Sequence, residues 1–268
     1  MSHFSVPKVE TDKNSVPIWD FGIEVAKGSF EHYSGVNKFG SNPAVGTGVE
    51  DVWHYGGAYN WISTATVLNV TSDSAQDAAG GTGALTVTIE GLDADWEPLI
   101  ETVTLTGTTI ALTTGVFKRV NRAYIRVCGT SESNVGTIYL FTGTETAGVP
   151  DTATQVYTTV SAGEGQTLQA IYSVPKGFTA HLLSGYAISA ANKTADIEVF
   201  FRLFGEGWRI AHEFSLTDSG YIQEYKIPVV LPEKSDFRVQ SSVDAGSARV
   251  SAGFSILLID NDVLRETA

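Results

Sequence analysis

From Leu85 to Leu105 the chain changes character at every second residue. Leu85, Val87 and Ile89 alternate with Thr86, Thr88 and Glu90, and Val103 and Leu105 alternate with Thr102, Thr104 and Thr106. Successive side chains of a strand point to opposite faces, so this spacing predicts two strands with one apolar and one Thr-rich face, and the β-branched residues disfavour a helix. Between them lies the acidic turn Asp93-Ala-Asp-Trp-Glu97, which makes Gly81–Thr109 a β-hairpin with a Trp just past its turn. A second segment of the same design runs from Ala195 to Gly220, with Ile197, Val199, Phe201 and Leu203 on one face, a Gly205-Glu-Gly207 turn and Trp208.

The two hairpins anchor a longer correspondence. Ser63–Ser74 answers Phe178–Ser189, Trp96 answers Trp208, and Asn121–Val127 answers Ser235–Gln240, in the same order in both halves. Strands are expected near 64–71, 83–90, 99–106, 116–128 and 135–142, and again near 166–174, 178–189, 196–204, 208–216, 221–229, 236–242 and 248–259. With 268 residues, 43% of them hydrophobic and 18% charged, the chain has enough apolar content for two ordinary cores. The expectation is an all-β protein of two tandem antiparallel β-sandwich domains, of jelly-roll or immunoglobulin-like type, with an extended N-terminal arm. Its divisions are an arm at 1–44, a first sandwich at 45–142, a polar linker at 143–155 and a second sandwich at 156–268.

Large aromatics punctuate the arm, which otherwise lacks strand alternation. Trp19, Phe21, Phe30 and Tyr33 are candidate partner contacts, because a free solvated arm gains nothing from exposed rings. Deleting 1–44 is expected to leave a folded protein that no longer joins its partner. A second aromatic group, Trp53, Tyr55, Tyr59 and Trp61, has three readings: a cap closing the end of a sandwich, a carbohydrate-stacking platform, or an interface hot spot.

Thirty acids against seventeen bases give a net charge of −13 and a pI near 4.7, with no basic stripe, so nucleic acid is not an expected partner. No apolar run approaches the roughly 20 residues that cross a bilayer, and the first residues lack the pattern of a secretory signal. A membrane partner is therefore not expected. Cys128 is the sole cysteine, which rules out an intrachain disulfide and a Cys-based zinc site.

Chemistry has little local support. The five histidines are isolated, no Gly-x-Ser-x-Gly elbow is present, and the spaced acids Asp93, Asp95 and Glu97 lack the Gly and distal Glu of a calcium loop. The Gly-rich pieces Gly80–Gly83 and Ala162–Thr167 lack the Lys-Ser/Thr ending of a phosphate loop. Neither an enzymatic activity nor a cofactor or metal is expected, although triads and carboxylate pairs assembled from distant positions leave no local trace.

Several stretches together carry a resemblance: Asn37–Pro43, Val49–Trp53, Gly56–Asn60, Ser74–Gly83, Thr86–Asp93, Glu101–Thr108, Ala162–Gln166, Ala170–Ala180 and Pro232–Lys234. Through them the chain resembles a family of tailed-bacteriophage virion structural proteins, well represented in marine phages. The resemblance spans most of the chain and implies a virion protein assembled in the host bacterial cytoplasm. Expected partners are the major capsid protein, other virion proteins and further copies of the chain in a dimer or trimer. A capsid decoration or cement role is the leading expectation; a neck, tail or fibre-adaptor protein and a receptor- or glycan-binding module are the alternatives. The family supplies no catalytic residues to carry over.

Overall fold

The structure, a computed structural model, describes residues 21–190 and 193–266. In chain order the strands are β1 (Tyr33–Val45), β2 (Glu50–Asp51), β3 (Asn69–Ser72), β4 (Ala84–Leu92), β5 (Pro98–Thr104), β6 (Ala111–Leu112), β7 (Arg119–Cys128), β8 (Ile138–Phe141) and β9 (Glu145–Thr146). They continue as β10 (Val149–Pro150), β11 (Val156–Val160), β12 (Ile171–Ser173), β13 (Phe178–Ala190), β14 (Thr194–Arg202), β15 (Arg209–Thr217), β16 (Gly220–Leu231), β17 (Asp236–Val243) and β18 (Ala248–Asp260). Among the described residues α-helix is confined to two short pieces, α1 (Phe21–Ala26) and α2 (Asn261–Glu266). The fold is all-β and its strand pairs are antiparallel, as the alternation predicted.

One sandwich is built from the two ends of the chain. Its sheets run β1-β18-β13-β16 and β12-β17-β14-β15, with β2 also pairing β17. Between them Ala180, Leu182, Val250, Ala252, Phe254 and Ile256 meet Ala195, Ile197, Phe237 and Val239 in one buried core, with the Phe237 and Phe254 rings 4.5 Å apart. The pairing is nested: β1 with β18, β2 with β17, β13 with β16, and β14 with β15. Such first-with-last pairing is the connectivity of a jelly roll, and this sandwich is called the roll below.

The other sandwich is inserted in the roll, between β2 and β12. Sheets β11-β8-β3-β6 and β5-β4-β7 enclose Leu68, Val70, Ile138 and Leu140 against Val87, Ile89, Val120 and Ala123. Here the internal correspondence takes physical form. The order β8-β3-β6 matches β18-β13-β16, and β5-β4-β7 matches β15-β14-β17. The remaining edge slot is filled by β1 in the roll and by β11 in the insert, so one comes from before the six strands and the other from after them.

These pairings shift the expected divisions. Residues 33–44 are not an extended arm: β1 pairs with β18 from Tyr33 opposite Ile259 to Val45 opposite Ala248. Gly40 lies so close to the neighbouring chain that an added Cβ would sit 2.2 Å from the Ala170 nitrogen, so the strand is packed on both sides. Deleting 1–44 would therefore remove a strand of the roll. Residues 156–160, assigned to the second sandwich with no strand expected there, form β11, which pairs with β8 in the insert. The expected linker at 143–155 holds the β9–β10 hairpin and a 3-10 turn, pinned to β3 by bonds from the Thr71 hydroxyl to the Gly148 carbonyl and from the Asn69 amide to the Gly143 carbonyl. Tandem order is thus replaced by insertion.

Candidate functional site at the seam between the sandwiches

The aromatic group in the passage from roll to insert is folded inward. Trp53 is 1% exposed, its indole N–H donates to the Gly57 carbonyl at 3.0 Å, and Tyr59 is buried against it with ring centres 5.0 Å apart. Phe141 and Val156 of the insert and Ile171 of the roll complete this cluster. Of the four rings only Tyr55, at 37%, is more than one-third exposed. Trp53 and Tyr59 offer no open face on which a sugar could stack; they join the two sandwiches instead.

From Tyr59 the contacts continue edge-to-face to Trp61, 5.0 Å away, and Trp61 lies 5.2 Å from Trp208. Arginines are interleaved with these indoles. Arg119 sits over Trp96 at 4.6 Å and Trp61 at 5.2 Å, Arg202 over Trp208 at 4.6 Å and Trp61 at 5.2 Å, and Arg238 over Trp208 at 4.2 Å. A guanidinium over an indole face is attracted by the ring quadrupole, the more so once water is excluded. The two corresponding tryptophans, one from each hairpin, therefore serve one stack.

Asp236 closes the stack. The register puts it opposite Arg202 on β14, and Arg119 reaches it from the first residue of β7 in the insert. Its Oδ1 accepts from Arg119 Nε at 2.8 Å and from the Ser173 hydroxyl at 2.5 Å; its Oδ2 accepts from Arg119 Nη2 at 3.0 Å and from Arg202 Nη2 at 2.5 Å. The side chain is 3% exposed. One carboxylate thus bonds a cation from each sandwich, and Arg119 Nη1 spends its remaining donors on the Ile62 and Lys118 carbonyls. No local motif announces this arrangement; its signal in the sequence is the pair of hairpin tryptophans.

Two further buried charges flank the seam. Asp51 of β2 accepts from the Tyr59 amide at 2.7 Å and faces Arg238 at 3.6 Å, while burial pushes its carboxyl up to about 6. Lys38 of β1 donates to the Asn121 carbonyl of the insert, and burial, aided by Arg122, brings its amine down to about 7. The acidic turn has a structural use: Asp93 Oδ1 accepts from the amides of Asp95 at 2.8 Å and Glu97 at 3.0 Å, and Glu97 pairs with Lys176 of the roll at 2.7 Å.

Above the seam opens a cleft of about 550 Å³ with Trp61, Trp96 and Phe204 as apolar walls and Lys118, Arg119, Arg202 and Lys234 as cations. The arm residues lie elsewhere. Phe21, Phe30 and Tyr33 pack on one another with ring centres 5.4 to 5.9 Å apart, beside the start of β1. Trp19 lies outside the described residues.

No family model matches the chain, and no curated protein matches it. Among solved structures the chain is similar to that of infectious bursal disease virus strain Gt, at 9% identity over 86% of this chain and 73% of that one, with a TM-score of 0.21. The Gx strain gives 9% identity, 85% and 72% coverage and a TM-score of 0.24. The VP2 subviral particle of the same virus gives 10% identity, 85% and 72% coverage and a TM-score of 0.21. Superpositions at this level carry no functional argument.

Proposed function

We propose that the protein is a non-enzymatic virion structural protein that decorates the head of a tailed phage and bridges capsid subunits. The observation that carries the reading is the seam: Asp236, bonded at once to Arg119 of the insert and Arg202 of the roll, makes one stiff body of two sandwiches. Stiffness favours a spanning brace, since a rigid bridge loses little conformational entropy when both ends engage. Apolar side chains left on the outside, among them Ile222 and Ile227 of β16, supply area to bury on neighbours. The residue resemblance to phage virion proteins points the same way.

The test is to purify particles and count this chain against the major capsid protein. A decoration protein follows the symmetry of the head and is present in on the order of a hundred copies, whereas a neck or tail adaptor is present in about a dozen or fewer. Absence from purified particles would overturn the virion reading altogether.

A further inference from the structure

We propose that the cleft over the Asp236 seam is a docking site for an acidic peptide segment of a partner protein, held by Lys118, Lys234 and the free edge of Arg202 between the walls of Trp61, Trp96 and Phe204. The charges in the cleft do not balance. Arg119 and Arg202 share a single carboxylate, Asp236. The other acid that lines the cleft, Glu206, is paired with Arg209. Lys118 donates only to the Ser63 carbonyl, and Lys234 lies over the Phe204 ring at 5.1 Å; neither has a carboxylate partner among the described residues. Desolvation lowers the Lys118 amine, and Arg119 and Arg202 lower it further against the opposing pull of Asp236.

This basic hollow sits in a chain of net charge −13, so it is a local feature with a local use. A concave site lined by one sign focuses the field and draws in the opposite charge. Donor placement selects the kind of anion. The guanidinium of Arg202 spends Nε and Nη2 on Asp236, which leaves Nη1, and the two lysines approach from other elements. Scattered single donors suit carboxylates spaced along a chain better than one compact tetrahedral ion. The aromatic walls, with Phe204 61% exposed at the mouth, would be idle against inorganic phosphate but can cover the methylenes and backbone of a peptide.

The experiment titrates the full-length protein with hexaglutamate at low salt, reading tryptophan fluorescence, with hexaglutamine and inorganic phosphate as the other probes. Saturable, salt-sensitive binding of hexaglutamate alone is expected, weakened at least about tenfold in the Lys118→Gln/Lys234→Gln variant. A Lys226→Gln variant on β16 should bind as the unaltered protein does. Indole N–H resonances of Trp61 and Trp96 should shift on binding while that of Trp53 stays, a readout that needs no variant. Absence of binding, or equal affinity in the double variant, would overturn the proposal. Phosphate binding as tight as that of the peptide would overturn the peptide assignment. The outcome does not depend on which particle, if any, carries the protein.

Discussion

The insert and the roll share a strand order but finish their edges differently. In the insert β5 and β6, the counterparts of β15 and β16, have seven and two residues. In the roll β15 and β16 run for nine and twelve residues, and β16 leaves Ile222 74% and Ile227 85% exposed. Long apolar edges invite other chains. The roll restrains that tendency with a break in register: β13 and β16 pair up to Ser184 opposite Glu224 and resume at Leu182 opposite Val229, so 225–228, including Pro228, stand out of the ladder. The shared strand order thus ends in shorter edges in the insert, where Ile100 and Leu112 stand exposed, and in a longer apolar flank in the roll.

Their buried carboxylates sharpen the contrast. Asp77 serves the insert alone, accepting from the Ser72 hydroxyl at 2.6 Å and from the amides of Ala84, Val135 and Gly136, each at 2.8 Å. Asp236 serves both halves. Asp236→Ala should have the largest effect, about 3–5 kcal/mol by urea denaturation, because two cations lose their partner in a desolvated seam. Asp77→Ala should cost about 2–3 kcal/mol through orphaned amides; the slowest-exchanging amides of both sandwiches should lose protection together, while only those of Ala84, Val135 and Gly136 gain a local opening route. A local route opened in the roll as well would break the distinction.

Gly40→Ala should cost about 1–3 kcal/mol, since the new methyl group meets backbone atoms of Ala170, Val52 and Gln169 at 2.2 to 2.7 Å, and a shorter thermal unfolding midpoint shift than for Asp236→Ala is the check. Lys38 gives a smaller, pH-dependent effect. Its folded-state pKa of about 7 lies below the ordinary 10.5, so between those values the unfolded chain holds the extra proton and stability rises with pH. Lys38→Met should remove that rise across pH 7 to 10 and raise stability at its lower end. The smallest change in stability, within about 0.5 kcal/mol, is expected for Ile222→Ser with Ile227→Ser, which should nevertheless reduce incorporation into particles.

The sequence made the hairpins legible because the alternation of Leu85, Val87 and Ile89 and of Ile197 and Val199 is local. The correspondence of Trp96 with Trp208 was legible for the same reason: each follows a turn in the same register of strands. β1 was not. Its run Tyr-Ser-Gly-Val-Asn-Lys-Phe-Gly-Ser-Asn-Pro has no clean alternation, and its partner β18 lies at the other end of the chain. Trp61 stood out as an aromatic, but its place between Arg119 and Arg202 depends on residues far apart in sequence, each unremarkable alone. The seam arises from chain closure, which periodicity does not encode.

The central claim is that the seam makes the insert and the roll one cooperative body. It is tested most directly by urea unfolding of a Trp19→Phe variant followed in parallel by tryptophan fluorescence, which then reports Trp53, Trp61, Trp96 and Trp208 at the seam, and by far-ultraviolet circular dichroism, which reports both sandwiches. A single transition with coincident midpoints is predicted. A fluorescence change completed before the strands are lost would show that the seam opens independently, and would contradict the account.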